Sequence, residues 1–268
     1  MTEAEPARPT TSGDRHPYLD GPYPRRYAHR GWHIGELAGC ENTLAGFELA
    51  VANGFSYIEM DVHASADGVP MVHHDVSLDR TTDGNGLLAR LPAAVIEDAR
   101  VAGREPVPRL EAVLAALPET RFTIELKSDA VVLPTLAVLE RLDAWHRVCL
   151  GAFFDRRLER ARAAGPRLLT SMGTGSVLGL RSRAWLDALP PPLRALDPVL
   201  PRVRGGLAQI PRHFGPLTVV DDRLLARAHG AGLEVHVWTV DDQAEMRELL
   251  AMGVDGLLSD RPDLLITL

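Results

Sequence analysis

Short apolar runs rich in β-formers alternate with helical patterns from about residue 27 to the C-terminus, the mark of successive βα units feeding a parallel sheet. Tyr27-Ala28-His29 reads as a short first strand. Asn42 and Thr43 are placed to cap a helix whose apolar positions are Leu44, Phe47, Leu49 and Val51, and Gly54 supplies its stop. Ser56 to Val62 is a second strand, Asp67-Gly68 marks a tight turn, and Val69 to His74 runs extended. Arg121 to Leu126, Arg147 to Ala152 and Arg167 to Thr170 read as strands three to five, with a helix from near Asp155 to Gly165 before the last of them. Gly206 to Ile210 gives a sixth strand and Leu233 to Thr239 a seventh. A helix capped by Asp241 and ended by Gly253 leads to the eighth at Gly256-Leu257-Leu258. With 268 residues, this pattern predicts an α/β chain folded as one (β/α)8 TIM barrel with short loop insertions. The insertions are expected at about 63–120 and 172–206. Residues 1–24 are polar and Pro-rich with no apolar core segment, so they read as a flexible N-terminal tail rather than a signal peptide, leaving 25–268 as the barrel domain.

Composition narrows the partners. A net charge of −7 offers no field for nucleic acid, so handling a phosphate would require a local cation or a metal. No run of apolar residues is long enough for stable membrane insertion. The two cysteines, Cys40 and Cys149, provide no disulfide framework, which fits a cytoplasmic location. Oligomeric state is left open.

Chemistry on such a barrel gathers at the C-terminal ends of the strands, and polar residues interrupt the apolar strands there. Glu59 and Asp61 are two apart and share a strand face; Glu125 and Lys127 repeat the spacing on the third strand. Carboxylates on an inward barrel face are costly unless paired or bound to metal. Glu59, Asp61 and Glu125 are therefore candidates to converge on one divalent cation, and all-oxygen ligation suits Mg2+ or Ca2+ better than zinc. The plainer reading is that these acids pair with arginines at strand ends. His29-Arg30-Gly31 closes the first strand at the same rim, where a His can move protons, an Arg can clamp a phosphoryl oxygen, and Gly31 lets backbone approach a ligand. His73-His74-Asp75 supplies a second imidazole, with Asp75 either orienting it or shaping the loop. Two imidazoles flanking a metal-bound phosphate form a workable acid–base pair. Lys127, the single lysine of the chain, fits a phosphate oxygen as well as a carboxylate.

Together these pieces carry a resemblance. His29-Arg30-Gly31, Glu41-Asn42-Thr43, Glu59-Met60-Asp61-Val62, Asp67-Gly68-Val69-Pro70, His74-Asp75, Asp79-Arg80-Thr81-Thr82, Glu125-Leu126-Lys127, Trp238-Thr239-Val240, and Gly253-Val254-Asp255-Gly256 followed by Ser259-Asp260-Arg261-Pro262 occur in order over most of the chain. In them the sequence resembles the glycerophosphodiester phosphodiesterase family. The resemblance implies a barrel with Mg2+ or Ca2+ at Glu59, Asp61 and Glu125, and His29 and His74 as the acid–base pair. It also implies Arg30 and Lys127 on the phosphate, and Trp238 lining the pocket for the alcohol or glycerol moiety, a place where plain core packing is the alternative. The implied reaction hydrolyses a small-molecule glycerophosphodiester to glycerol 3-phosphate and an alcohol.

Cys40 stands where this family usually has proline, Ser65 where threonine is common, and His73 beside His74 is unusual. His63, near the metal acids, reads as a substrate contact or a solvated loop residue. Two rival readings remain: a lysophospholipase D-like or sphingomyelinase D-like phosphodiesterase, and a non-catalytic barrel that binds metal or phosphate.

Overall fold

A computed structural model describes residues 15–165, 167–190, 192 and 196–268. Its main sheet has nine strands, of which one, Pro70–Val72, runs antiparallel; the other eight are parallel and form the barrel. In chain order they are β1 (Arg25–His29), β2 (Tyr57–Ala64), β3 (Arg121–Leu126), β4 (Val148–Gly151), β5 (Leu169–Thr170), β6 (Leu207–Pro211), β7 (Glu234–Trp238) and β8 (Gly256–Ser259). The path runs β5-β4-β3-β2-β1-β8-β7-β6. It closes between β5 and β6 through a single parallel bridge, Ser171 to Leu207, and the Gly206 amide bonded to the Thr170 carbonyl at 2.8 Å. The expected (β/α)8 barrel is thus present, with its thinnest seam where the fifth strand is only two residues long.

The helices are α1 (Leu44–Ala52), α2 (Leu110–Ala116), α3 (Val132–Arg141), α4 (Asp155–Ala164), α5 (Thr174–Leu186), α6 (Asp222–Gly230), α7 (Gln243–Ala251) and α8 (Pro262–Leu265). Strand residues two apart share a face, so each strand feeds two environments. Ile58, Met60 and Val62 of β2 and Phe122, Ile124 and Leu126 of β3 join the large core that the helices cover. Tyr27, Tyr57, Cys149, Leu169, Leu207 and Leu258 form a second cluster with Tyr18 and Leu19. Among the described residues no helix is long and apolar enough to cross a membrane.

Tyr18 and Leu19 lie inside the tail expected for residues 1–24. Residues 1–14 lie outside the described residues, but 15–24 are packed. A 3-10 turn, Pro17–Asp20, buries Tyr18 completely, with its hydroxyl 2.7 Å from Thr123 Oγ1 and 3.1 Å from the Tyr27 hydroxyl. Arg25, fully buried, donates to Glu234 from Nε (3.1 Å) and Nη2 (2.9 Å), and to the carbonyls of Leu19, Gly21 and Pro22. Arg25 thus pairs with Glu234, which Arg15 also meets, and satisfies the backbone of the leading segment, which helps to order a polar, Pro-rich stretch here. His236 beside it donates to Glu234 and is kept neutral chiefly by burial, with its pKa lowered to about 3. Removing one member of such a buried pair typically costs about 3–5 kcal/mol. Arg25→Met is expected to lose about that much in urea unfolding and to expose the 17–24 segment to protease.

Two helix caps differ from the sequence expectation. Thr43 caps α1 by accepting from the Gly46 amide, but Asn42 does not cap; it adopts a positive φ of 58° and turns its side chain toward β2. Asp242, not Asp241, caps α7; Asp241 instead accepts from Ser259 Oγ (3.0 Å) and the Asp260 amide (2.8 Å). The 63–120 stretch is an insertion with its own small core of Met71, Leu78, Leu88, Ile96, Val101 and Val107. It contains the antiparallel strand on β2, a short helix Ala93–Asp98 and a two-stranded ribbon, Arg100–Val101 with Glu105–Pro106. In the 172–206 stretch, α5 occupies the first half.

Candidate active site

Strand register assembles the site. His29 at the end of β1 is paired with Glu59 on β2, and Asp61 with Glu125 on β3. Because Tyr57, Glu59 and Asp61 alternate along one strand, the inward face that starts as aromatic packing ends as carboxylates. Glu59, Asp61 and Glu125 each place a carboxylate oxygen within 4.8 Å of the other two. Glu59 and Asp61 are buried, at 4% and 1% exposure, and Glu125 is half-buried.

Two cations face the three carboxylates. Lys127 Nζ is 2.8 Å from Glu125 Oε2 and 2.9 Å from Asp61 Oδ1, and Arg30 Nε is 3.2 Å from Asp61 Oδ2. The lysine thus faces the buried Oδ1 of Asp61 directly, as an ion pair at contact distance. Asn42 Nδ2 donates to the other oxygen at 2.9 Å, and its side-chain carbonyl accepts from the Asp61 amide. Charge is undercompensated by one. Burial first, then the neighbouring Asp61 charge, pushes the Glu59 carboxyl well above the usual range. Against its own burial, Lys127, Arg30 and His74 hold Asp61 below its usual value. Three carboxylates converging at a buried point with a surplus of negative charge are a set that a hard divalent cation fits.

Two imidazoles stand in carboxylate-held dyads. His29 Nδ1 donates to Asp260 Oδ1 at 2.6 Å, leaving Nε2 3.6 Å from Glu59 Oε2. Asp260 also accepts from His33 Nε2 at 3.1 Å, and these two bonds hold it below its ordinary value despite burial. His74 Nδ1 donates to Asp75 at 2.6 Å, the contact an orienting group would make, and Asp75 also accepts from Arg80. In both rings the tautomer set by the carboxylate leaves Nε2 available. Neighbouring His73 points elsewhere, buried and donating to the Ser77 carbonyl at 3.0 Å, as side chains alternate on extended backbone. His63 is buried and donates to the His74 carbonyl at 3.0 Å, so it braces that loop and is not solvated.

Trp238, half-buried at the end of β7, meets Phe153 edge-on with ring centroids 5.9 Å apart, and also packs on the barrel-interior cluster. Phe153 and Phe154 follow β4 and are 50% and 64% exposed, giving the mouth an apolar edge that sequence reasoning missed. Gly31 serves packing rather than ligand approach. Its φ is +87°, and a Cβ there would lie 2.8 Å from the Phe47 ring of α1. Sequence reasoning also gave no role to Asn42 at the site or to Asp260, although both sit in the motif pieces quoted above.

A barrel enzyme with an acidic, histidine-flanked site at the C-terminal rim is the class that fold and geometry define. The profile of the glycerophosphoryl diester phosphodiesterase family matches residues 29–264. A relative named probable glycerophosphodiester phosphodiesterase 2, from Mycobacterium tuberculosis, is 38% identical over 89% of this chain and 88% of its own length. The crystal structure of a glycerophosphodiester phosphodiesterase from Agrobacterium tumefaciens aligns with a TM-score of 0.69 at 26% identity, covering 91% of this chain and 97% of that one. A phosphodiesterase from Oleispira antarctica, solved in complex with the product sn-glycerol-3-phosphate, shares the fold with a TM-score of 0.72 at 23% identity, over 94% and 98% of the two chains. The chain belongs to the glycerophosphoryl diester phosphodiesterase family, and it is a phosphoric diester hydrolase.

Proposed function

We propose that this chain hydrolyses glycerophosphodiesters to glycerol 3-phosphate and an alcohol, with a divalent cation, Mg2+ or Ca2+, held by Glu59, Asp61 and Glu125. The observation that carries the reading is the convergence of those three carboxylates within 4.8 Å with only Lys127 and Arg30 as cations against them. When bound, the cation supplies Lewis-acid polarisation of the phosphoryl group. Arg30 and Lys127 add fixed positive charge where the equatorial phosphoryl oxygens gain negative charge. One of His29 and His74 takes the proton from the attacking water, or from the glycerol 2-hydroxyl where a cyclic phosphate forms first and water then opens it, as the new O–P bond forms. The other gives a proton to the departing alkoxide oxygen as the P–O bond breaks. Their Nδ1 atoms are committed to Asp260 and Asp75, so Nε2 is the proton-carrying atom in each. Trp238 and Phe153 form the wall against which the carbon skeleton of the substrate packs.

The exposed Phe153 and Phe154 favour one second reading, a lysophospholipase D-like activity on substrates with an acyl chain. A product assay separates the two. Glycerophosphocholine is expected to be cleaved to glycerol 3-phosphate and choline, lysophosphatidylcholine poorly. Chelation should abolish turnover, and Mg2+ or Ca2+ should restore it. Turnover unaffected by a chelator would remove the metal from the reading, and preference for the lysolipid would install the second one. Cys40 and Cys149 are both free thiols, which suits a reducing compartment such as the cytoplasm.

A further inference from the structure

The insertion that carries His74 folds around its own small core, separate from both barrel clusters. His74 lies one residue beyond the point where the His73 amide bonds to the Asp61 carbonyl at 2.9 Å. From there the chain leaves β2 and runs over the insertion. Arg104, further along the insertion, donates to the Glu36 and Ala38 carbonyls of the loop between β1 and α1, and the link made next to the His74 dyad itself is Arg80.

Arg80 donates to Asp75 from Nε (2.6 Å) and Nη2 (3.0 Å), and to Glu41 from Nη2 (2.8 Å) and Nη1 (3.2 Å). Both carboxylates are already bonded to groups of the site. Asp75 holds His74 at 2.6 Å, and Glu41 accepts from Arg30 Nη1 at 3.2 Å. A continuous chain of charged hydrogen bonds therefore runs from His74 through Asp75, Arg80 and Glu41 to Arg30, which is itself 3.2 Å from Asp61. Arg80 joins the insertion to the loop between β1 and α1, the two segments that supply His74 and Arg30. We propose that Arg80 is a positioning residue: by bridging Asp75 and Glu41 it fixes His74 over the β1–β2 half of the site.

The proposal rests on the acid–base role given to His74 above. Exposed ion pairs commonly contribute little to stability, and Arg80 is 49% exposed. Its value lies in geometry rather than in folding energy. All three guanidinium nitrogens are committed to carboxylates, so the group is not free to clasp substrate phosphate. The planar fork meets two carboxylates at once, a pattern the single ammonium of lysine does not reproduce.

Arg80→Ala and Arg80→Lys in the full-length, metal-loaded enzyme test this with glycerophosphocholine as substrate. A displaced catalytic group typically costs on the order of 10²-fold, so kcat is expected to fall by about that factor in both variants. KM should stay within about threefold of wild type, because uniform binding is untouched. Added guanidinium ion should recover part of the alanine variant's kcat, and the thermal midpoint should be unchanged, which a merely structural role would not produce. A kcat within about threefold of wild type, or a loss seen only as raised KM, overturns the proposal. Should the alanine variant fail to fold, Arg80→Gln is read by the same criteria. His74→Ala measured alongside keeps the two ideas apart. If it stays active, the acid–base reading fails. If it is inactive while the Arg80 variants turn over normally, only the brace fails.

Discussion

His29→Ala is expected to lower kcat by about 10²–10⁴, the usual share of a positioned acid or base, while leaving the fold and KM near wild type. The geometry explains both halves of that result. His29 ends β1 with Nδ1 tied to Asp260 and Nε2 directed toward Glu59, so its loss removes the imidazole that faces the carboxylate cluster from β1. Stability should change little, because Asp260 keeps a second donor in His33 Nε2 and its backbone remains pinned by Asp241. Glu59 loses its imidazole neighbour but keeps the Arg30 amide at 3.3 Å, so it is not left without a donor, the usual source of a large penalty. Asp260→Asn should fall between wild type and His29→Ala, since an amide can keep the contact without enforcing the Nδ1–H tautomer. Single-turnover rates with circular dichroism on each variant provide the check. A folded His29→Ala enzyme turning over within about tenfold of wild type would take His29 out of the proton-transfer step.

The parts of this site that the sequence made legible are those governed by strand alternation. Glu59 and Asp61, and Glu125 and Lys127, are i, i+2 pairs, and any strand places such pairs on one face. Register then needs only neighbouring strands, and β2 does pair with β3, bringing Asp61 opposite Glu125. His74 is preferred to His73 through the resemblance alone, by the His-Asp pair it forms with Asp75, since both lie just past the strand Pro70–Val72. What stayed hidden depends on contacts between loops far apart in the chain. Asp260 reaches His29 across 231 residues, and Arg80 reaches Glu41 across 39. No local period encodes either distance. Tyr18 was hidden for another reason. Two tyrosines in a polar, Pro-rich stretch carry no period, and contacts made at a distance order the segment: Arg25 on its carbonyls, Tyr18 on Thr123 and Tyr23 on Asp255. The short β5 was legible as a strand because Leu169 and Thr170 follow a helix stop at Gly165, but its closure onto β6 rests on one bridge that no pattern announces.

Glu59→Gln should move activity and stability in opposite directions. Glutamine matches the shape of the protonated carboxyl but removes a charge from a cluster that has one too many. In the metal-free protein, burial and the Asp61 charge raise the Glu59 carboxyl from its ordinary 4.5. From that value upward the unfolded chain releases the proton while the folded one retains it, so stability falls as pH rises through this window. The substitution cancels that loss. The metal-free variant is expected to match wild type near pH 4 and to exceed it at neutral pH by on the order of 1–2 kcal/mol, a typical gain when a functional site is relieved of its strain. Added Mg2+ or Ca2+ should reverse the order. A ligand that binds only the folded state at a hundred times its Kd contributes about 2.7 kcal/mol, and wild type should show a shift of that size where Glu59→Gln shows little. Turnover in the variant should fall by about 10³-fold or more, since Lewis-acid stabilisation of phosphoryl charge is worth several kcal/mol. Thermal melts across pH, with and without each cation, read all three effects together. A variant no more stable than wild type without metal, yet equally stabilised by it, would mean that Glu59 neither strains the cluster nor ligates the ion.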